Sequence, residues 1–185
     1  MNAIDFGPEG LIYTGSDDCT VKIWRKNLGP SASHVLLTTL RGININKISN
    51  SNSNSPVKAL ALNSNGSSLY TGCSNGDIIW WEKERDSSSQ MRQAGILRGH
   101  VRAVLCLTTV LGGNYNLLFS GSVDATIRVW SRGLLDSHKH TCSAVIKAHS
   151  GPVKCIAAKV EEENRVVLFS GSLDGSVNMW RIAVN

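Results

Sequence analysis

Two sets of residues have the types and spacing to do acyl-transfer chemistry: His100 with Ser120 or Ser122 and Asp124, and His149 with Ser170 or Ser172 and Asp174. In a hydrolase, a His takes the proton of a Ser nucleophile while an Asp orients the imidazole. Each set here is followed by a Trp, Trp130 or Trp180, and the sets recur at nearly matching offsets. A catalytic centre is needed once, whereas a polar set repeated along the chain is architectural, because a fully satisfied buried network fixes strand register. The sequence carries no phosphate-binding Gly loop, no H-E-x-x-H, no G-x-S-x-G and no metal-ligand spacing. No catalytic, cofactor-binding or metal-binding residue is therefore assigned. The five cysteines, Cys19, Cys73, Cys106, Cys142 and Cys155, are odd in number and contain no C-x-x-C pair, which points to reduced thiols. Cys106 and Cys155 alternate with apolar neighbours, as small core residues of a strand do.

The elements that must position these residues repeat. Four segments align without a gap: Thr14-Gly-Ser-Asp-Asp-Cys-Thr-Val-Lys-Ile-Trp24, Thr71-Gly-Cys-Ser-Asn-Gly-Asp-Ile-Ile-Trp-Trp81, Ser120-Gly-Ser-Val-Asp-Ala-Thr-Ile-Arg-Val-Trp130 and Ser170-Gly-Ser-Leu-Asp-Gly-Ser-Val-Asn-Met-Trp180. Each reads as a strand end, a turn held by Asp or Asn, and a second strand with alternating apolar residues, which together make a hairpin. Arg98-Gly99-His100 and Ala148-His149 each precede a further apolar strand, Val104 to Leu107 or Val153 to Ile156. The chain is predicted to be all-β.

These phrases resemble the WD40 repeat, in which four strands make one blade of a β-propeller. The resemblance implies that His100, Ser120 or Ser122, Asp124 and Trp130 form one buried hydrogen-bonded chain, and His149, Ser170 or Ser172, Asp174 and Trp180 another. Asp18 and Trp24 hold the matching places in the first repeat, Asn75 and Trp81 in the second. Two repeats depart from the pattern. The second has Ser53 where the His belongs and Asn75 for the Asp, so its chain should be incomplete. The first begins within an inner strand, so any His of its own would precede residue 1. The blades are expected at about 1–40, 55–99, 102–148 and 151–185, the last without its outer strand: a four-blade arc that is partial relative to a seven-bladed ring. Three readings of that arc stay open: a piece of a longer propeller with no activity of its own, a half-ring completed by a second chain, or a strained four-blade closure. Exposed terminal blades would favour self-association.

At finer grain, residues 16–26, 96–107, 149–156 and 169–182 resemble plant WD-repeat proteins of the JINGUBANG type. That likeness implies a non-enzymatic scaffold of cytoplasm and nucleus with protein partners, including transcriptional regulators. WD40 receptors of cullin-type ubiquitin ligases carry an acidic residue or Asn just after the Trp and a basic residue two places on. The sites here read Trp24-Arg-Lys-Asn, Trp81-Glu-Lys-Glu, Trp130-Ser-Arg-Gly and Trp180-Arg-Ile-Ala, and none fits.

Composition bounds the rest. The chain has 185 residues, 42% of them apolar, enough for a core. Its apolar runs are strand-sized, far short of the ~20 residues that span a bilayer. It opens with no basic or apolar leader, which points to an intracellular compartment without membrane contact. The net charge is +5, from 19 basic and 14 acidic side chains. With 6% aromatics and no basic run longer than two, the nucleic-acid signal is weak. In this fold, the loops entering inner strands share a rim with the turns between second and third strands. Arg41, Lys58, Arg98, Arg102 and Lys154 are expected there as a partner-binding set, and Glu161-Glu162-Glu163 on a loop of the opposite rim. Successive hairpins begin at residues 14, 71, 120 and 170, a longer pitch than the ~40–45 residues of a WD40 unit. The excess is placed in Asn44 to Ser55, Glu84 to Gln93 and Arg132 to His140.

Overall fold

Short runs rich in Val, Ile, Leu and Trp, punctuated by Gly, Asn, Asp and Ser, cannot sustain helices but pair readily as antiparallel hairpins. The computed structural model of the chain accordingly contains fifteen strands and one 3-10 turn, Pro8–Gly10, among the residues described: 1–27, 33–42, 55–84, 90–111, 115–133, 140–162 and 164–184. The strands form four antiparallel sheets, each a meander in chain order.

The first sheet comprises β1 (Ala3–Phe6), β2 (Leu11–Gly15), β3 (Thr20–Lys26) and β4 (His34–Arg41). The second comprises β5 (Val57–Leu62), β6 (Ser68–Cys73), β7 (Ile78–Lys83) and β8 (Met91–Leu97). The third comprises β9 (Val104–Leu111), β10 (Tyr115–Ser122), β11 (Thr126–Gly133) and β12 (His140–Lys147). The fourth has three strands, β13 (Val153–Glu162), β14 (Arg165–Ser172) and β15 (Val177–Ala183).

The sheets pack face to face in chain order, as blades, and the period-2 alternation of each strand decides which neighbour each residue meets. Leu11, Tyr13, Val21, Ile23 and Leu40 of the first sheet meet Val57, Leu69, Trp81 and Met91 of the second. Tyr70, Ile78, Trp80 and Leu97 of the second meet Val104, Leu118 and Trp130 of the third. Leu117, Phe119, Ile127 and Val129 of the third meet Val153, Val166, Leu168 and Trp180 of the fourth. The repeated Trp of the second, third and fourth sheets thus faces the preceding sheet.

In the first three sheets a register shift falls just before this Trp, between Ile23 and Trp24, Trp80 and Trp81, and Val129 and Trp130. The bulge lets a bulky indole turn inward without breaking the outer pairing. Small residues close the seams. A Cβ on Gly121 would lie 2.6 Å from Cys106 Sγ and 2.7 Å from Val153, so no larger residue fits between the third and fourth sheets there. The residue after the turn Asp or Asn is left-handed in every repeat: Cys19 (φ 66), Gly76 (φ 92), Ala125 (φ 65) and Gly175 (φ 84).

Several sequence expectations need correction. Gln93 lies inside β8, because pairing with β7 begins at Met91. Glu161 and Glu162 belong to β13, not to a loop, and pair with Arg181 at 3.3 Å and Arg165 at 3.4 Å; Glu163 and Ser53 lie outside the described residues. Cys155 is exposed, whereas Cys106 is half-buried under Val153 of the following sheet. The difference is one of cover, since no described sheet packs on the face of the fourth that carries Cys155. Burial pushes the thiols of Cys73 and Cys106 up to about 12, so both are protonated at neutral pH.

Candidate functional site

In the third sheet the structure brings His100, Ser120, Asp124 and Trp130 into one chain. His100 Nδ1 lies 2.8 Å from Asp124 Oδ2, and its Nε2 lies 2.8 Å from Ser120 Oγ. Trp130 Nε1 donates to Ser120 Oγ at 2.9 Å. One assignment satisfies every partner: the indole N–H donates to the Ser oxygen, the Ser hydroxyl to His Nε2, and His Nδ1–H to the carboxylate. This needs a neutral ring. Burial holds the His100 pKa below its ordinary value, although Asp124 opposes that. Burial alone would raise Asp124, but hydrogen bonds from Thr126 and His100 prevail and hold it low.

The fourth sheet repeats the arrangement. His149 Nδ1 lies 3.0 Å from Asp174 Oδ2, its Nε2 lies 2.8 Å from Ser170 Oγ, and Trp180 Nε1 donates to Ser170 at 3.1 Å. The Ser176 hydroxyl, 2.6 Å from Asp174, does most to depress that carboxyl. Between the alternatives left by the sequence, Ser120 and Ser170 are the members of the chains. Ser122 instead donates to the Arg102 carbonyl and accepts from the Asp124 N–H, and Ser172 accepts from the Asp174 N–H.

The first two sheets keep the Trp anchor and lose the rest. Trp24 Nε1 donates to Thr14 Oγ1 at 2.9 Å and Trp81 Nε1 to Thr71 Oγ1 at 3.1 Å. Each Thr hydroxyl then turns to a carbonyl of its own hairpin, Lys22 or Ile79. Asp18 caps the turn by accepting from the Thr20 N–H and hydroxyl. Asn75 accepts from the Asp77 N–H, while its own N–H donates to Ser55 Oγ.

As a catalytic set, the Ser–His–Asp geometry fails on access. Ser120 is 0% exposed, its oxygen already accepts an indole N–H, and the His100 side chain is covered. A nucleophile in that position meets no substrate. A small cavity of about 30 Å³ lies on the opposite rim between Asn63, Ser68, Tyr70, Thr109, Asn116 and Arg132. It admits a water molecule but is far below the ~300 Å³ of a metabolite site. Among the described residues no group of His, Cys, Asp and Glu is disposed to hold a metal ion.

What remains for contact is the rim that carries the turns between second and third strands. Lys58 is 2.5 Å from Asp17, which also accepts from Asn2; the Lys58 bond does most to lower the Asp17 pKa. Arg98 is 3.7 Å from Asp77. Arg41 closes β4 opposite Thr20 and is exposed. Arg102 and Lys154 are exposed, and neither forms an ion pair among the described residues. Val101, beside Arg102, is 80% exposed.

Sequence reasoning missed two features. Arg128 lies against the backbone of Gly99, where a Cβ would come within 2.7 Å of its guanidinium, and its buried Nε has no partner among the described residues. The signal was positional: Asn178, the equivalent residue in the last repeat, reaches the Ala148 carbonyl. The second is the seam between the second and third sheets. His140 Nε2 is 2.9 Å from the Tyr70 hydroxyl, and the His140 ring stands edge-on to Trp80 at 4.4 Å. Arg132 lies 4.5 Å over the Trp80 ring and 2.6 Å from Glu82. Burial, assisted by Arg132, lowers His140 to about 4, and burial raises Tyr70 to about 12. Only the Trp80-Trp81 doublet hints at this, by giving β7 a large indole on each face.

A family model described as "WD domain, G-beta repeat" matches residues 1–25, 44–82, 91–131 and 140–181. Protein ROOT INITIATION DEFECTIVE 3 of Arabidopsis thaliana is 43% identical over 76 residues, covering 41% of this chain and 16% of that protein. Autophagy-related protein 16 of Arabidopsis thaliana is 27% identical over 94% of this chain and 28% of its own length. F-box-like/WD repeat-containing protein TBL1X of Homo sapiens is 28% identical over 93% of this chain and 27% of its own. The chain therefore spans less than a third of the length of these relatives. Among the described residues no helix is long and apolar enough to cross a membrane.

Proposed function

This chain belongs to the WD40 repeat family, and from that premise we propose that its single repeat domain works as a non-catalytic protein–protein interaction scaffold, a regulatory adaptor in a plant cell. One observation carries the reading. The polar residues that could do chemistry are enclosed within the blades, Ser120 at 0% exposure and Ser170 at 1%, while the rim presents exposed, chemically varied loops. A rigid stack of sheets with enclosed polar networks and decorated edges suits recognition of other proteins.

The finer parts of the proposal follow the family resemblance. The chain is assigned to the JINGUBANG-type plant proteins, to the cytoplasm and nucleus, and to partners that include transcriptional regulators. Arg41, Lys58, Arg98, Arg102 and Lys154 form the partner-binding rim. Self-association is proposed through the apolar faces left uncovered on the outermost described sheets, with Phe6 at 69% exposure on the first and Met179 at 50% on the last. Light scattering of the purified chain tests that part, and a monomer at all concentrations refutes it.

The scaffold reading is tested by affinity capture from plant extract, comparing the parent chain with a folded variant carrying Glu at the five rim positions. Salt-sensitive loss of a defined set of proteins is expected. An unchanged set removes the rim from the function.

A further inference from the structure

The five basic residues of the rim are not equivalent. Lys58 is already held by Asp17 and, through it, Asn2, so a partner gains little by approaching it. Arg98 has Asp77. Lys154 is the repeat equivalent of Lys58, directly following the buried Val153 as Lys58 follows the buried Val57. The residue matching Asp17 in the preceding repeat is Val123, and Lys154 makes no ion pair among the described residues. The seam between the third and fourth sheets therefore keeps the cation and loses its carboxylate.

The surroundings of His100 continue this pattern. Residues 98–102 run Arg-Gly-His-Val-Arg. The Arg128 guanidinium rests against Gly99, near enough to His100 to help lower its pKa. Arg102 is exposed, and its carbonyl is fixed by the Ser122 hydroxyl. Of the acids at this loop, Asp77 is taken by Arg98, and Asp124 by His100, Thr126 and the Val101 N–H. Three cations without carboxylate partners, Arg102, Arg128 and Lys154, thus stand on one blade and the seam beside it. Val101, at 80% exposure, is the aliphatic side chain directly preceding Arg102 on this loop.

We propose that this corner, residues 98–102 with Arg128 and Lys154, is a docking surface for an acidic peptide segment that carries aliphatic side chains next to its carboxylates. The inference rests on the scaffold reading and narrows it. Carboxylates complete the ion pair that Lys154 lacks and engage the Arg128 and Arg102 forks, while a Leu or Ile covers Val101. The charges accelerate encounter, and the aliphatic contact supplies retention that salt does not screen.

The test is fluorescence anisotropy of a short labelled peptide of repeating Glu-Glu-Leu with the whole chain, with a Glu-only peptide and a single-stranded DNA as comparators. The double variant Arg102→Glu/Lys154→Glu is expected to weaken binding about tenfold. Val101→Ser is expected to weaken it about fivefold through lost apolar burial, and Arg128→Lys about threefold, because the charge remains and the fork does not. Arg165→Gln, which removes a cation already paired with Glu162 and outside the rim set, should change affinity less than twofold. Circular dichroism melts matching the parent establish that each variant is folded, and Arg102→Gln/Lys154→Gln replaces the double reversal if that one unfolds. Equal loss from Arg165→Gln overturns the localisation, as does equal binding of the Glu-only peptide for the aliphatic contact. Tighter binding of the DNA through the same residues overturns the partner class. A parent chain that captures proteins in a rim-dependent way but ignores the Glu-Glu-Leu peptide overturns this inference and leaves the scaffold reading standing.

Discussion

In the third and fourth sheets the central Trp is tied through Ser and His to an Asp in the turn and to the loop before the inner strand. In the first and second sheets the same Trp is tied only to a Thr whose hydroxyl returns to its own hairpin. The bonds of the His100 chain cross 20 and 24 residues of sequence, whereas Thr71 bonds only partners 8 and 10 residues away. A histidine therefore welds loop to hairpin, and without it the hairpin closes on itself. The difference also reaches the rim: the His100 loop is the one that presents Val101 and Arg102.

The comparison is broken most severely by Trp130→Ala, expected to cost ~3–5 kcal/mol because the indole is 3% exposed and also satisfies Ser120. The same change at the half-buried Trp24 should cost about half as much by urea unfolding. His100→Ala follows at ~2–4 kcal/mol, since it leaves Asp124 and Ser120 enclosed without their partner. Ser55→Ala, at the corner that lacks a His, should cost ~1 kcal/mol. Equal losses at His100 and Ser55 would show that the His adds nothing.

Acid sharpens the contrast. His100 and His140 have folded pKa values below those of the unfolded chain, His140 at about 4. Between pH ~6.5 and 4 the unfolded state therefore binds more protons, and stability is complete above ~6.5 and falls as pH drops. Asp124 and Asp174, both depressed, add stability above ~3.8 that is lost only at lower pH. Thermal melts should show a decline starting near pH ~6.5, and His140→Gln should flatten its upper part. A melt flat down to pH ~4 would contradict the buried neutral state of both rings.

The smallest effect tests the turns. Ala125 stands left-handed where Gly76 and Gly175 stand in other repeats. Ala125→Gly should stabilise the chain by up to ~1 kcal/mol, because relieved strain outweighs the extra freedom of the unfolded glycine. A loss on that change would mean that the methyl group packs usefully.

The repeat and the hairpins were legible in the sequence, because a period-2 strand with a turn Asp and a terminal Trp dictates which residues share a face, whereas the blades and the candidate network were expected from the resemblance to the WD40 repeat. The residues themselves also spelled out the incomplete corner of the second sheet, where Asn75 stands for Asp and no His precedes Val57. What only tertiary structure decided lies between sheets. The choice of Ser120 over Ser122 depends on which hydroxyl points at the indole. The neutralisation of Lys58 depends on Asp17, 41 residues away across a seam. Arg128 beside Gly99, and His140 against Tyr70 and Trp80, meet because twisted sheets stack face to face with their connecting loops between them. Sequence period fixes the face of a residue within its own sheet, but not the height at which the next sheet meets it.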